Sequence, residues 1–381
     1  MKILITGDLL VNIEYSVDRI DKDVIDLFGK SDFNIVNLEA PVTKSSSKIL
    51  KTGPHLKSNE ESVQLVLKTL NVNLVTLANN HVLDYDEEGV LDTLSFCRRN
   101  NIQTVGAGQN LEEASQTLYL DIQEEKIAIV NFAENEWASA TKEAAGANPM
   151  NIIDNANQIK EAKSRADYVI VIIHGGHEYY NLPSPRMQKQ YHFYAECGAD
   201  LVVGHHTHCI NGNEIYNGVP IYYSLGNFLF TRSKFQEDWY NGLILEIEIK
   251  ERNLTTKIHI IRQEKVTFEL NLLKGNKNEA IQARIQNYNK IISDNSLLTK
   301  EWNKYVSTKY NRYLIHWSPI SYINNRYIRA VINKLNLKII NKKGIARYLN
   351  LLRCEAHANL SKEIIQMYLE RRKNKNNKKN L

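Results

Sequence analysis

Residues 198–208 read Gly-Ala-Asp-Leu-Val-Val-Gly-His-His-Thr-His. The apolar run 201–203 is too short for a helix and ends in β-branched residues, so we expect a buried strand that stops at the following glycine. In extended backbone, residues two apart point the same way, so His206 and His208 aim at one point while His205 points away. Neutral imidazole is a common ligand for zinc and other transition metals. The stretch therefore predicts part of a metal site that earlier loops complete.

The rest of the chain indicates an α/β fold. Strands alternate with helices over roughly the first half, and strands then follow one another directly. This order predicts a mostly parallel sheet with added antiparallel strands, covered by helices. The predicted strands are 2–6, 33–38, 72–77, 126–132, 168–173, 201–203, 213–217, 220–224, 242–249 and 255–262.

Polar side chains collect just after the ends of several predicted strands. In open α/β sheets the ligand crevice lies outside the carboxyl ends of the strands, so these groups are expected to meet there. Taken singly, Asp8 reads equally well as a helix cap, Glu39 as a surface acid and Asn80 as a turn residue. The shared position favours a site. The residues concerned are Asp8, Glu39, Asn80, His81, His174 and His206.

A polar break at 274–278 divides the chain. We expect one domain over residues 1–270, a helical extension over 271–370, and a disordered basic tail over 371–381. The tail holds six Lys and Arg and no acid, against a net charge of +5 for the whole chain. The remainder is thus about neutral, which argues against a nucleic-acid-binding body. We interpret the tail as a solvated end, with a weak contact to anionic lipid or polymer as the alternative.

Cysteine use and hydropathy indicate the compartment. The four cysteines are scattered without a C-x-x-C pair, which suits a reducing compartment better than a disulfide framework. No apolar run approaches the roughly 18 residues that span a bilayer, and no signal peptide precedes Gly7. We therefore expect a cytoplasmic protein without a transmembrane segment, with peripheral contact to the inner membrane face as an open alternative.

A set of motifs, in this order along residues 1 to about 265, resembles the CapA family of capsule (poly-γ-glutamate) synthesis proteins, relatives of the calcineurin-like metallophosphoesterases. The resemblance implies a four-layer α/β/β/α metallophosphoesterase-like sandwich, here followed by a helical C-terminal extension. The motifs are Gly7-Asp8, Asn37-Leu-Glu39, Asn79-Asn80-His81, His174-x-Gly176-x-Glu178-Tyr179, Gly198-Ala-Asp200, Gly204-His-His-x-His208 and Tyr223-Ser-Leu-Gly-Asn-Phe228.

The resemblance also implies roles for these residues. Asp8 and His208 would bind a first metal, Glu39 would bridge two metals, and the second metal would be held by Asn80, His174 and His206. His81 would lie beside the scissile phosphate as a general acid or charge stabiliser.

One departure from the superfamily pattern concerns the first motif. Asp-x-His is usual there, whereas Asp8 is followed by Leu9 and Leu10. We therefore expect one firmly bound divalent ion (Mn, Fe or Zn) at the second site, and a second ion that is weak or absent at the first. Glu178 is a candidate substitute ligand or acid–base group.

The expected function is metal-dependent hydrolysis, of the phosphoesterase type, in the biosynthesis of a capsule or other surface polymer. The substrate would be a polymer precursor or a phosphoester, and membrane-bound polymer-synthesis proteins are possible partners. One rival is a non-catalytic, metal-bearing accessory protein of a membrane polymer synthase. Another is a sugar- or peptide-binding domain that has lost its metal.

Overall fold

The computed structural model describes residues 1–323, 325–335 and 337–377, with the side chains at 321, 333 and 370–377 left out. The chain divides into two compact units, Met1–Trp302 and Asn303–Leu381. Among the described residues, every strand lies in the first unit. None of the helices in the described part combines the length and apolar character that crossing a membrane requires.

The elements follow the predicted alternation closely. The strands are β1 (Lys2–Leu10), β2 (Phe33–Leu38), β3 (Leu74–Thr76), β4 (Gln103–Val105), β5 (Ala107–Gly108), β6 (Leu118–Ile122), β7 (Glu125–Ala133), β8 (Gly146–Ala147), β9 (Tyr168–His174), β10 (Leu201–His205), β11 (Asn213–Tyr216), β12 (Val219–Tyr222), β13 (Asn227–Phe230), β14 (Asn241–Lys250), β15 (Asn253–Gln263) and β16 (Leu270–Leu272). The helices are α1 (Lys22–Gly29), α2 (Glu60–Thr69), α3 (Asp86–Arg99), α4 (Leu111–Ala114), α5 (Ile152–Arg165), α6 (Pro185–Glu196), α7 (Gly275–Ile292), α8 (Asn295–His316), α9 (Arg326–Leu335), α10 (Lys342–Arg353) and α11 (Glu355–Asn377).

Two large sheets form the first unit. The first has the order β16-β15-β14-β1-β2-β3-β4, with β13 also pairing with β1. The second has the order β11-β12-β10-β9-β7-β6. The central strands run parallel in both sheets, and β14, β15 and β16 add antiparallel pairs to the first. A mostly parallel fold with added antiparallel strands is therefore confirmed.

The four-layer α/β/β/α architecture is confirmed by where alternate strand residues go. Along β1, Ile3 and Ile5 pack between the sheets against side chains of the second sheet such as Ile129 and Ile170. Leu4 faces the other way, into a core shared with Phe28 and other residues of α1, α2 and α3. Helices α5 and α6 lie on the second sheet. Burial on both faces explains why these strands read as continuous apolar runs.

Strand β1 changes partner at Gly7, immediately before the predicted ligand Asp8. Its first half pairs antiparallel with β14, whereas its second half pairs parallel with β13. A Cβ atom on Gly7 would lie 1.9 Å from the carbonyl oxygen of Gly226, and one on Gly242 would lie 1.8 Å from that of Asn227. Glycine is therefore required where the three strands come together.

The predicted change to helices beyond the polar break is also confirmed, since α7 to α11 follow β16 without a further strand among the described residues. The domain boundaries at 270 and 370 remain predictions. Of the predicted tail, the side chains of 371–377 and all of 378–381 lie outside the described residues.

We expect Gly7→Ala to destabilise the chain by roughly 1–3 kcal/mol, because the new methyl group would force β1 away from β13. Thermal unfolding followed by circular dichroism measures the change. Gly29→Ala is the matched control, since nothing lies within 4 Å of its added Cβ and alanine favours the helix. Equal melting temperatures for Gly7→Ala and wild type would show that the close approach does not constrain the fold.

Candidate metal centre

The predicted ligands come from the carboxyl ends of parallel strands in both sheets. Asp8 lies in β1, and Glu39 directly follows β2. Asn80 lies in the loop after β3, and His174 is the last residue of β9. The remaining two, His206 and His208, follow β10. All six are buried, with at most 8% of any of them exposed. Because the two sheets are stacked with these ends on the same side, distant segments meet at one place.

Asp8, Glu39 and His208 form one group, whose potential ligand atoms all lie within 4.8 Å of one another. His208 Nδ1 is 3.3 Å from Asp8 Oδ2, and its Nε2 is 3.5 Å from Glu39 Oε1. Its ring also packs against Trp239, at a centroid distance of 4.7 Å. The second acceptor near Nδ1 is Asn227 Oδ1, at 2.9 Å.

Asn80, His174 and His206 form a second group beside the first. His174 Nε2 is 3.1 Å from Asn80 Oδ1 and 3.1 Å from His206 Nδ1. Three atoms with lone pairs therefore converge, as a bound cation requires. Burial first, and His206 second, lower the pKa of His174 well below its usual value, which favours the neutral imidazole that binds metals.

Asp8 connects the two groups. Its Oδ1 lies 3.9 Å from His174 Nδ1 and accepts a hydrogen bond of 2.7 Å from Asn37 Nδ2. Its Oδ2 accepts a hydrogen bond of 3.3 Å from the backbone N–H of His206. The structure thus brings all six residues into one neighbourhood, whose two halves share Asp8.

Glu39 shows that a cation fits the first group. Its side chain is fully buried, and neither carboxylate oxygen has a hydrogen-bond partner among the described residues. Burial raises the pKa of Glu39 well above its usual range, although the nearby His208 opposes the shift. A buried carboxylate without a partner is costly, and a divalent ion would compensate its charge. Two carboxylates and one imidazole are a suitable donor set for such an ion.

The charges of the other two members of this group depend on each other. Burial by itself would raise the pKa of Asp8, but contact with His208 and the neighbouring imidazoles hold it well below its usual range. Burial likewise lowers the pKa of His208, but Glu39 and Asp8 outweigh it and raise the value to about 9. Without a metal, His208 therefore carries a positive charge that balances the Asp8 carboxylate, while burial favours the protonated form of Glu39.

His81 adjoins the first group, and Glu178 lies at its edge. His81 Nε2 is 3.9 Å from Glu39 Oε1, and its Nδ1 is 2.6 Å from Asp84 Oδ2. Asp84 forms a buried ion pair with Lys51. Burial lowers the pKa of His81, against the opposing influence of Asp84. Glu178 is exposed and acts on Glu39 and His208 through its charge.

The predicted orientation of the histidines after β10 is wrong in one respect. His205 does not point away, since its Nδ1 lies 3.7 Å from Asp8 Oδ1. His206 and His208 both have positive φ, so the alternation of extended backbone does not apply there. As a result His206 joins the second group and His208 the first. Neither ring nitrogen of His205 has a hydrogen-bond partner among the described residues.

Several residues of the site were given no role from the sequence, although Asn37 and Asn227 stand in the motifs quoted above. Asn37 holds Asp8, Asn227 contacts His208, and Glu136 Oε1 lies 3.9 Å from His206 Nε2. Asp84 stands three residues after His81 in the same polar loop, a spacing that offered a signal. Lys51 offered none, because it comes from a long loop whose path only the tertiary structure determines.

A family model described as bacterial capsule synthesis protein PGA_cap matches residues 2–232. The match covers more than half of the chain and includes all six predicted ligands. The chain belongs to this family.

Curated relatives of this PGA_cap member are capsule proteins by name. The chain is 38% identical over 217 residues to the PGA biosynthesis protein CapA of Bacillus subtilis, covering 56% of this chain and 57% of the relative. It is 34% identical over 233 residues to the capsule biosynthesis protein CapA of Bacillus anthracis, covering 58% and 56%. The chain therefore spans a little over half the length of these relatives.

Solved structures resemble the PGA_cap member only distantly. A phosphatase from Mycoplasma pneumoniae has 15% identity and a TM-score of 0.44, with 69% of this chain and 93% of that chain covered. A hypothetical protein from Thermus thermophilus has 14% identity and a TM-score of 0.45, with 69% and 100% covered. Both scores are too low to carry a functional conclusion.

We expect the affinity of this PGA_cap member for a divalent ion to rise with pH, because an ion entering beside Asp8 and Glu39 must displace the proton held by His208. Below the raised pKa of about 9, the affinity should increase at least about tenfold per pH unit, because Glu39, whose pKa burial also raises, releases its own proton when the ion binds. Calorimetric titration with Mn²⁺ between pH 6.5 and 9 measures this slope. The exposed Glu134→Gln variant should retain it. An affinity that does not change with pH would contradict this charge arrangement.

Proposed function

We propose that the chain is a divalent-metal-dependent hydrolase of the phosphoesterase type that acts in the synthesis of a bacterial surface polymer. The observation that carries this proposal is the convergence of six buried oxygen and nitrogen ligands beside a histidine that is itself no member of either group. Such a combination of a metal centre and an adjacent proton-handling group is what hydrolysis of a phosphoester needs. The capsule names of the relatives support the polymer pathway.

The charges favour the first group as the firmer metal site. Asp8 and Glu39 attract a dication directly, whereas Asn80, His174 and His206 are a neutral set in their metal-binding form. We therefore propose that the firmly bound ion lies at Asp8, Glu39 and His208, and that any second ion lies at the other group. This ordering reverses the one expected from counting ligands in the sequence.

A bound ion of this kind polarises a phosphoryl oxygen and makes a water molecule a stronger acid. The protein supplies the proton handling. Asp84 Oδ2 is the closer partner of His81 Nδ1, at 2.6 Å, and favours a proton on that nitrogen, whereas Lys51 Nζ, 3.2 Å from Nδ1, is paired with Asp84. The free Nε2 then faces the first group, at 3.9 Å from Glu39. Because burial lowers its pKa, His81 is mostly neutral, and Nε2 is ready to accept a proton and return it to the leaving group. Glu178, at the exposed edge, remains a secondary candidate for the same work.

The substrate class follows from two sources. The motif resemblance to metallophosphoesterases makes a phosphoester the first choice, and the name PGA biosynthesis protein makes a γ-glutamyl amide the second. A location on the cytoplasmic side is part of this proposal. It is supported by Cys97, Cys197, Cys209 and Cys354, all of which are free thiols, as a reducing compartment would keep them.

We expect Asp8→Asn and His208→Ala each to lower the turnover of a generic phosphodiester by more than roughly 100-fold, because both residues would hold the firmly bound ion and loss of outer-shell partners alone costs 10–100-fold. The assay uses protein reconstituted with Mn²⁺, and metal content is determined on the same samples. His357→Ala removes an exposed histidine of the second unit and should behave as wild type. Wild-type turnover in both site variants would rule out the catalytic assignment.

We expect Asp84→Asn to lower kcat by roughly 10²- to 10⁴-fold with little change in KM, because the amide no longer fixes the proton of His81 on Nδ1. Steady-state kinetics separates kcat from KM, and Asp84→Glu should recover part of the loss. Asp84 also accepts a hydrogen bond from the backbone of Leu56, so melting temperatures are compared. A matched fall in stability and activity, without recovery in the glutamate variant, would assign Asp84 a purely structural role.

A second candidate function is a non-catalytic, metal-bearing accessory protein of a membrane polymer synthase. The burial of Asp8 and Glu39 favours it, because closed sites are typical of structural metals. A Mycobacterium tuberculosis protein that is 28% identical over 211 residues is named "Probable polyglutamine synthesis accessory protein". Tight metal binding without turnover of phosphoesters or γ-glutamyl amides, together with co-purification of a synthase, would favour this function.

A further inference from the structure

The charges of the chain are distributed very unevenly between its two compact units. Residues 303–381 contain 18 Lys and Arg but only three Asp and Glu. Residues 1–302 contain 30 Lys and Arg and 40 Asp and Glu. The basic character therefore extends through the whole second unit and is not confined to its last residues, while the unit that carries the metal centre is acidic.

Helix α9 of this basic unit is amphipathic and exposes its apolar face. Tyr327, Ile328, Val331 and Leu335 fall on one side at helical spacing. They are 67%, 47%, 53% and 61% exposed, respectively. Arg326 and Arg329 lie on the opposite side, and Lys334 borders the apolar face. A helix with this pattern has a face that water solvates poorly and a face that water solvates well.

Helix α10 repeats the arrangement. Leu349 and Leu352 are 53% and 65% exposed, and Tyr348 lies beside them on the same face. Lys343 and Arg347 lie on the other side. Two consecutive helices of the unit therefore each combine an exposed apolar face with a basic one, and most of the exposed large apolar side chains of the described residues lie beyond Trp302.

We propose that α9 and α10 bind the interfacial region of an anionic lipid bilayer. Their apolar faces would enter the boundary between headgroups and acyl chains, and their Lys and Arg would lie against the phosphate groups. A purely anionic polymer would attract the basic residues but would provide no apolar surface for these faces to contact. A second copy of the unit would bring like charges together, which disfavours self-association through this surface. The inference does not depend on the proposed hydrolase activity.

The test is flotation of the full-length chain with lipid vesicles. Binding to vesicles of equal parts phosphatidylglycerol and phosphatidylcholine should exceed binding to pure phosphatidylcholine by at least about tenfold. It should weaken as salt is raised from 0.1 to 0.5 M, because salt screens the attraction. Metal-dependent phosphodiester turnover is measured separately, so failure of one proposal is distinguishable from failure of the other.

Variants on a single helix test the apolar face. The double variant Leu349→Gln/Leu352→Gln should lower the partition coefficient to anionic vesicles by roughly tenfold or more, through loss of buried apolar area. The double variant Ala346→Gln/Asn350→Gln, on the exposed polar side of the same helix, should bind like wild type. If the first variant melts differently from wild type, Val331→Gln/Leu335→Gln on α9 provides the same test.

Three outcomes would overturn the inference. The first is equal binding to neutral and anionic vesicles, or none to either. The second is binding that the leucine variant leaves unchanged. The third is a concentration-dependent dimer, detected by analytical ultracentrifugation, that the leucine variant dissolves while vesicle binding is absent. That last result would assign the surface to a second copy of the chain.

Discussion

The candidate metal centre depends on one constraint, the compensation of a carboxylate that the fold has removed from water. Glu39 is fully buried, and neither of its oxygens has a hydrogen-bond partner among the described residues. Removal of a charge from water is unfavourable unless an opposite charge or several donors replace the solvent. Here the compensation comes from a proton on Glu39, whose pKa burial raises, from the nearby His208 imidazolium or, as we propose, from a metal ion. The surrounding residues hold the other members of the group in place, since Asn37 donates a hydrogen bond to Asp8 and Asn227 contacts His208.

The strand arrangement explains how such a group can form at all. The two sheets place the ends of β1, β2, β9 and β10 on one side, so residues separated by up to 200 positions become neighbours. The close approach of β1, β13 and β14 needs glycine at positions 7 and 242. Gly7 precedes Asp8 in the chain, and Gly242 lies against the backbone of Asn227. Both glycines therefore contribute to the site, because they permit the backbone contacts that bring Asp8 and Asn227 together.

The second unit differs in its physical character. Its helices are strongly basic and expose apolar side chains, whereas the first unit buries its apolar residues in continuous cores on both faces of its sheets. An acidic unit with a candidate metal centre and a basic, amphipathic unit suit different environments. The first is built around a buried polar group, and the second is suited to an anionic surface.

The sequence by itself determined the strand–helix order, the α/β class and the residues most suited to bind a metal. Strand periodicity and motif spacing are local properties of the chain, so they can be recognised without knowledge of the tertiary structure. Only the tertiary structure decided that His206 and His208 belong to different groups, because both lie in left-handed backbone that breaks the alternation. It alone placed Lys51 and Asp84 behind His81, and left Glu39 without a hydrogen-bond partner in the part of the chain that the structure describes. These features depend on which loops meet in space, and that is settled by packing between segments far apart in the chain.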